Sequence, residues 1–94
     1  MDKKKLRIAI LKEIDSGNKF LTENNFEVDS ETFDEAVRFL YSNGYLKGVS
    51  LGDNRIHFFE GTAYLTEKGE EYLSENGTIA KTYKGLKEIR SWLP

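Results

Sequence analysis

Cysteine is absent from these 94 residues. No disulfide can frame the fold, and no thiolate is available as nucleophile or metal ligand. That suits a reducing compartment, or a chain indifferent to redox state. The single proline is Pro94, so no predicted helix or strand loses an N–H to proline. The single histidine, His57, lies between Ile56 and Phe58 and reads as a strand residue on the wetter side of a hairpin. Apolar runs are short, and none approaches the ~18 residues of a membrane span. Near the N-terminus Leu6, Ile8, Ala9, Ile10 and Leu11 are interrupted by Arg7 and closed by Lys12 and Glu13. With no small-residue cleavage site following, the pattern predicts no signal peptide, and a cytoplasmic location by default. Repeats, low-complexity tracts and linkers are also missing, which predicts one domain over residues 1–94. A chain of this size buries somewhat over ~60% of its unfolded surface, enough for a modest core.

Chemistry is scarce as well. No serine sits in a Gly-x-Ser-x-Gly elbow. The acidic pairs Asp34/Glu35 and Glu70/Glu71 are sequence neighbours on predicted helices, where adjacent side chains diverge and form no acid/base pair. No spacing brings three metal ligands together, and no glycine loop opens a helix to cradle phosphate. The expectation is a protein that is not an enzyme, with no cofactor, no metal and no small-molecule substrate.

What is present is a segregated charge pattern and a clear order of elements. The formal net charge is −2. Residues 1–20 hold six basic and three acidic groups, residues 21–35 hold six acidic groups and no basic one, and residues 77–94 hold four basic and one acidic. A mild total thus hides an acidic second segment between basic ends.

A first helix is predicted from about Asp2 to Ile14, with Asp2 as cap. Leu6, Ala9, Ile10 and Ile14 share one face, Leu11 widens it, and Ile8 points the other way. Apolar residues on both sides predict a sandwiched helix. Thr22 should cap a short second helix to Phe26. Ser30 should cap a third, in which Phe33, Ala36, Val37, Leu40 and Tyr41 follow the amphipathic template up to Asn43-Gly44. Tyr45 to Leu51 reads as one strand, Gly52-Asp53-Asn54 as turn chemistry, Arg55 to Phe59 as the returning strand, and Gly61 to Leu65 as a further extended piece. Thr66 should cap a helix from Glu67 to Glu75, with a last helix over residues 78–93. This order is that of an α+β winged helix-turn-helix, with three N-terminal helices, a β-hairpin wing and two C-terminal helices. Its predicted core is Leu6, Ile10, Ile14, Phe33, Val37, Leu40, Leu46, Ile56, Phe58, Leu65, Tyr72 and Leu73.

Tri-helical folds of this kind read duplex DNA with the outward face of the helix after the turn. Here that face holds Arg38, which suits guanine, and Ser42, which suits a phosphate. Lys47, Asn54 and Arg55 cluster near the wing, where arginine suits a narrow minor groove. Against this, Glu31, Asp34 and Glu35 stand at the start of the third helix and repel a polyanion. Phe39 is out of place on a groove-reading face. It either packs against the short second helix or anchors a protein partner. Two functions follow: a small DNA-binding or regulatory domain, or a winged helix used for protein–protein interaction. Salt-dependent binding to duplex separates them.

Asp53-x-Arg55 in the wing, followed by Leu65-Thr66-x-Lys68-Gly69, resembles the wing and following helix of MarR-type regulators. The resemblance implies that Asp53 orients Arg55 toward the minor groove. A longer match covers the whole chain. Met1-Asp2-Lys3-Lys4-Lys5-Leu6-Arg7-x-Ala9-Ile10-Leu11-Lys12-Glu13-Ile14, then Phe33-Asp34-Glu35-Ala36-Val37-Arg38-Phe39-Leu40, Gly44-Tyr45-Leu46 and Tyr64-Leu65-Thr66-x-Lys68-Gly69 resemble the YjcQ family. These are small winged-helix proteins of Gram-positive bacteria and their phages. That resemblance implies the fold and leaves the activity open.

Overall fold

The computed structural model describes residues 2–52, 55–57 and 61–93, with backbone alone for Leu51, Gly52 and residues 55–57. Its elements run α1 (Lys3–Asp15), α2 (Glu23–Phe26), α3 (Ser30–Ser42), β1 (Leu46–Lys47), β2 (Ser50–Gly52), β3 (Arg55–His57), β4 (Tyr64–Leu65), α4 (Glu67–Glu75), α5 (Gly77–Ala80), a 3-10 turn (Leu86–Glu88) and α6 (Ile89–Trp92).

Helix α1 is the axis of the molecule. Asp2 caps it, accepting from the amides of Lys4 and Lys5. Leu6, Ile8, Ala9, Ile10, Leu11 and Ile14 are all buried, because α3 covers one side while β4, α4 and α5 cover the others. The predicted sandwich is therefore the arrangement found, and Ile8 is as buried as its neighbours on the opposite face. Helix α3 presents Phe33, Ala36, Val37 and Leu40 inward. Its cap is Asp29, one residue before the expected Ser30. Hydrogen bonds from Thr32 hold the Asp29 carboxyl below the usual carboxylate range. Thr22 caps α2 as expected, through a reciprocal bond pair with Asn25.

The expected strand from Tyr45 to Leu51 is two strands. Gly48 breaks it with a φ of +81°, and a Cβ there would collide with the Thr62 carbonyl. Before the break, β1 pairs antiparallel with β4, Leu46 opposite Leu65 and Lys47 opposite Tyr64. Beyond it, β2 and β3 form a separate antiparallel pair, Ser50 opposite His57 and Gly52 opposite Arg55. The wing thus has a base, β1–β4, and an outer hairpin, β2–β3, of which β3 approaches α3.

The expected continuous helix over residues 78–93 is absent. Gly85, with φ +105°, separates α5 from the 3-10 turn and α6. The segment still lies along α1. The Tyr83 hydroxyl donates to Glu13 at 2.6 Å, and the Trp92 indole N–H donates to the Lys5 carbonyl at 3.0 Å. Burial and the Glu13 carboxylate push the Tyr83 hydroxyl far above the usual phenol range.

Of the predicted core, Leu6, Ile10, Ile14, Phe33, Val37, Leu40 and Leu46 are buried, while Leu65, Tyr72 and Leu73 are half-buried against them. The side chains of Ile56 and Phe58 lie outside the described residues. Ile8, Ala9, Leu11, Leu21, Phe26, Ala36, Ala63, Ala80, Ile89 and Trp92 join them in the core.

Helix α4 docks through Gly69. Its amide donates to the Thr66 hydroxyl, and that hydroxyl donates to the Gly44 carbonyl. A Cβ at Gly69 would collide with the Tyr45 carbonyl oxygen. Alanine is worth up to about 1 kcal/mol more than glycine inside a helix. Gly69→Ala is nevertheless expected to lower stability by about 1–3 kcal/mol through overpacking, read as a fall in the urea midpoint. A raised midpoint would show that the Tyr45 turn yields freely.

Candidate nucleic-acid interface

The outward face of α3 carries exposed Glu31, Glu35, Arg38, Tyr41 and Ser42. Arg38 and Ser42 stand one turn apart, on the helix half away from the acidic start. Arg38 is not a free side chain, and neither is Asp34, since each has a partner. Glu35 is bridged to Lys3 of α1 at 3.0 Å.

At the base of the wing, Lys47 is exposed beside its pairing partner Tyr64, which is 50% exposed. Directly paired residues project on the same side of a sheet, so a cation and an aromatic ring share the outer face. Phe20, 67% exposed, lies over Gly61 near the same strand. The backbone of Arg55 opens β3. Its side chain, and all of Asp53 and Asn54, lie outside the described residues, so the Asp53–Arg55 arrangement implied by the MarR resemblance does too.

Phe39 is half-buried and lies beneath Arg7 of α1, with the guanidinium carbon 3.5 Å from the ring centroid. Its ring centroid is 6.2 Å from that of Tyr45. The ring contact with α2 belongs to Phe33 instead, which stacks on Phe26 at 5.9 Å. Periodicity assigned Phe39 to the outside of α3. The crossing of α1 over α3 covers it.

The two basic ends of the chain, remote in sequence, meet in the fold. Lys5 Nζ sits 5.2 Å from the centre of the Trp92 ring, and Tyr83 reaches Glu13. Exposed Lys4, Lys81, Lys84 and Lys87 are therefore carried on adjoining segments. Arg90, its side chain 86% exposed, is bridged to Glu27 at 2.6 Å. Sequence reading found both basic segments but had no signal for their meeting, because the bond that joins them is an indole to a helix carbonyl 87 residues away.

A helical core crossed by α1 and followed by a two-part antiparallel wing is a winged-helix-like α+β domain. By sequence the chain belongs to the YjcQ family: the family model "YjcQ protein" matches residues 4–92. It is 53% identical over 93 residues to the uncharacterized protein YjcQ of Bacillus subtilis (strain 168), covering 99% of each chain. The solution NMR structure of the YjcQ protein from Bacillus subtilis is similar with a TM-score of 0.65 and 47% identity, over 85% of this chain and 97% of that one. Among the described residues no helix is long and apolar enough to cross a membrane.

Proposed function

We propose that this chain is a small DNA-binding, regulatory domain whose phosphate contacts come from the joined basic ends and the wing, with α3 contributing little attraction. The observation that carries this reading is the packing of the C-terminal segment, which bears Lys81, Lys84 and Lys87, along the helix that bears Lys4 and Lys5, through Tyr83 on Glu13 and Trp92 on Lys5. Cations carried on adjoining segments bind a polyanion by releasing its counterions, and that attraction needs no base-reading helix. Lys47 beside Tyr64 adds a cation and a stacking ring at the wing base. Arg38, Ser42, Asn54 and Arg55, with Asp53 as support, remain the residues for any sequence preference. In this reading the domain is a binding module and not an enzyme.

The acidic start of α3 favours a second reading, a protein-interaction module facing a basic partner. Phe39 is then no anchor, since Arg7 covers it. The exposed aromatics Tyr41 and Tyr64 take its place.

The test is a titration with random duplex at two salt concentrations. Six phosphate contacts would cost about a thousandfold in affinity between 50 and 200 mM salt, by the counterion-release slope. Lys84→Glu combined with Lys87→Glu should weaken binding about tenfold or more, and Arg55→Ala should weaken it less. Glu31→Lys with Glu35→Lys should tighten it. No binding at low salt, or indifference to the Lys84/Lys87 reversal, would refute the nucleic-acid reading and leave the protein-interaction module.

A further inference from the structure

Among the described residues Arg7 stands out by an unmet polar atom. Its Nε is buried and has no hydrogen-bond partner. Among the described residues the guanidinium makes no hydrogen bond and no ion pair, and it lies on the face of Phe39. A ring face stabilises the charge. It leaves the in-plane Nε–H unmet, and a buried donor without an acceptor is costly.

Arg7 also forms part of the wall of a cavity of about 230 Å³ between α1 and α3, with Lys3, Leu6, Thr32, Glu35 and Ala36 as the other lining residues. Leu6 and Ala36 are buried and apolar. Lys3 is already bridged to Glu35, so these two cancel. Arg7 is left as one uncompensated positive charge beside an apolar floor. The charge reaches further: it opposes the burial that raises the Tyr72 hydroxyl above the usual phenol range.

We propose that this cavity is a binding site for a small organic monoanion, a carboxylate on a short apolar body. The carboxylate meets the guanidinium fork, whose two parallel N–H groups match its two oxygens. The apolar body covers Leu6 and Ala36. One excess cation calls for one negative charge, and the volume lies below the ~300 Å³ at which drug-sized sites begin. This inference is independent of nucleic-acid binding, because neither the wing nor the C-terminal lysines take part.

The experiment is an amide proton–nitrogen NMR titration of the full chain at constant ionic strength. The probes are sodium butyrate, its neutral isostere butyramide, and sodium phosphate. Butyrate should give saturable shifts confined to Leu6, Arg7, Thr32, Glu35, Ala36 and their neighbours. Butyramide and phosphate should give none that saturate at the same concentrations. Arg7→Gln should weaken butyrate about tenfold or more, the worth of a charge-assisted bond. Glu35 is exposed, and Glu35→Gln, which leaves Lys3 unpaired in the cavity wall, should tighten it severalfold. If Arg7→Gln does not keep the wild-type spectrum, the Glu35→Gln result decides. Equal shifts with butyramide, saturation by phosphate to the same degree, unchanged affinity in a folded Arg7→Gln, or no gain in Glu35→Gln would each overturn the assignment.

Discussion

Trp92→Ala is expected to remove about 3–5 kcal/mol of stability, the usual cost of deleting a buried tryptophan. Native domains hold only about 5–15 kcal/mol in total, so the variant should be close to unfolded at physiological temperature. Trp92 is 6% exposed, packs edge-on against Tyr83 at 5.3 Å and donates to the Lys5 carbonyl. It therefore closes the C-terminal segment over α1. Trp92→Phe keeps most of the apolar body and loses only the indole bond, which should cost about 1 kcal/mol from the bond itself. Urea unfolding followed by far-ultraviolet circular dichroism measures both. If Trp92→Ala lost less than about 1 kcal/mol, the C-terminal segment would be an appendage and not part of the core.

Leu40→Ala should cost about 2–5 kcal/mol, the loss of transfer energy plus the cavity left behind. Leu40 has no exposed surface and lies with Val37 on the face of α3 turned to α1. Each kcal/mol lowers the melting midpoint by about 4–8 °C in a domain of this size, so calorimetry should find a fall of ten degrees or more. The companion change Ser42→Ala, on the exposed end of α3, should leave the midpoint within about 2–4 °C, as surface substitutions do. A small effect at Leu40 would mean that α1 and α3 can close the gap, which rigidly interlocked cores resist.

The sequence disclosed what local rules govern and missed what distant contacts decide. Helices α1 and α3 were legible because cap and periodicity agree in each: Asp2 before Leu6, Ala9, Ile10 and Ile14, and an acidic or hydroxyl cap before Phe33, Val37 and Leu40. Thr66 and the bounds of α4 were legible for the same reason. The last helix was misread because Ile79, Tyr83, Leu86 and Leu93 keep helical spacing while Gly85 takes a left-handed φ that spacing does not reveal. Gly48 splits the expected strand in the same way, with the Thr62 carbonyl where a side chain would stand. Of the candidate interface, Lys47 and Ser42 were correctly placed at the surface. Phe39 was not, because its cover comes from Arg7, 32 positions earlier. Tyr64 was findable: strict alternation with buried Ala63 put it outside.

The position of α1 has a consequence for synthesis. Helix α1 is made before its partners: Tyr83 lies 70 residues after Glu13, and Trp92 lies 87 residues after Lys5. Contacts so remote along the chain delay folding, and N-terminal segments awaiting distant partners leave apolar surface open. A nascent chain ending before Tyr83 would hold a complete α1 with one flank bare, a natural target for a chaperone that recognises exposed aliphatic helices. Completion of the core thus waits until the segment from Tyr83 to Trp92 has left the ribosome and swung back along α1.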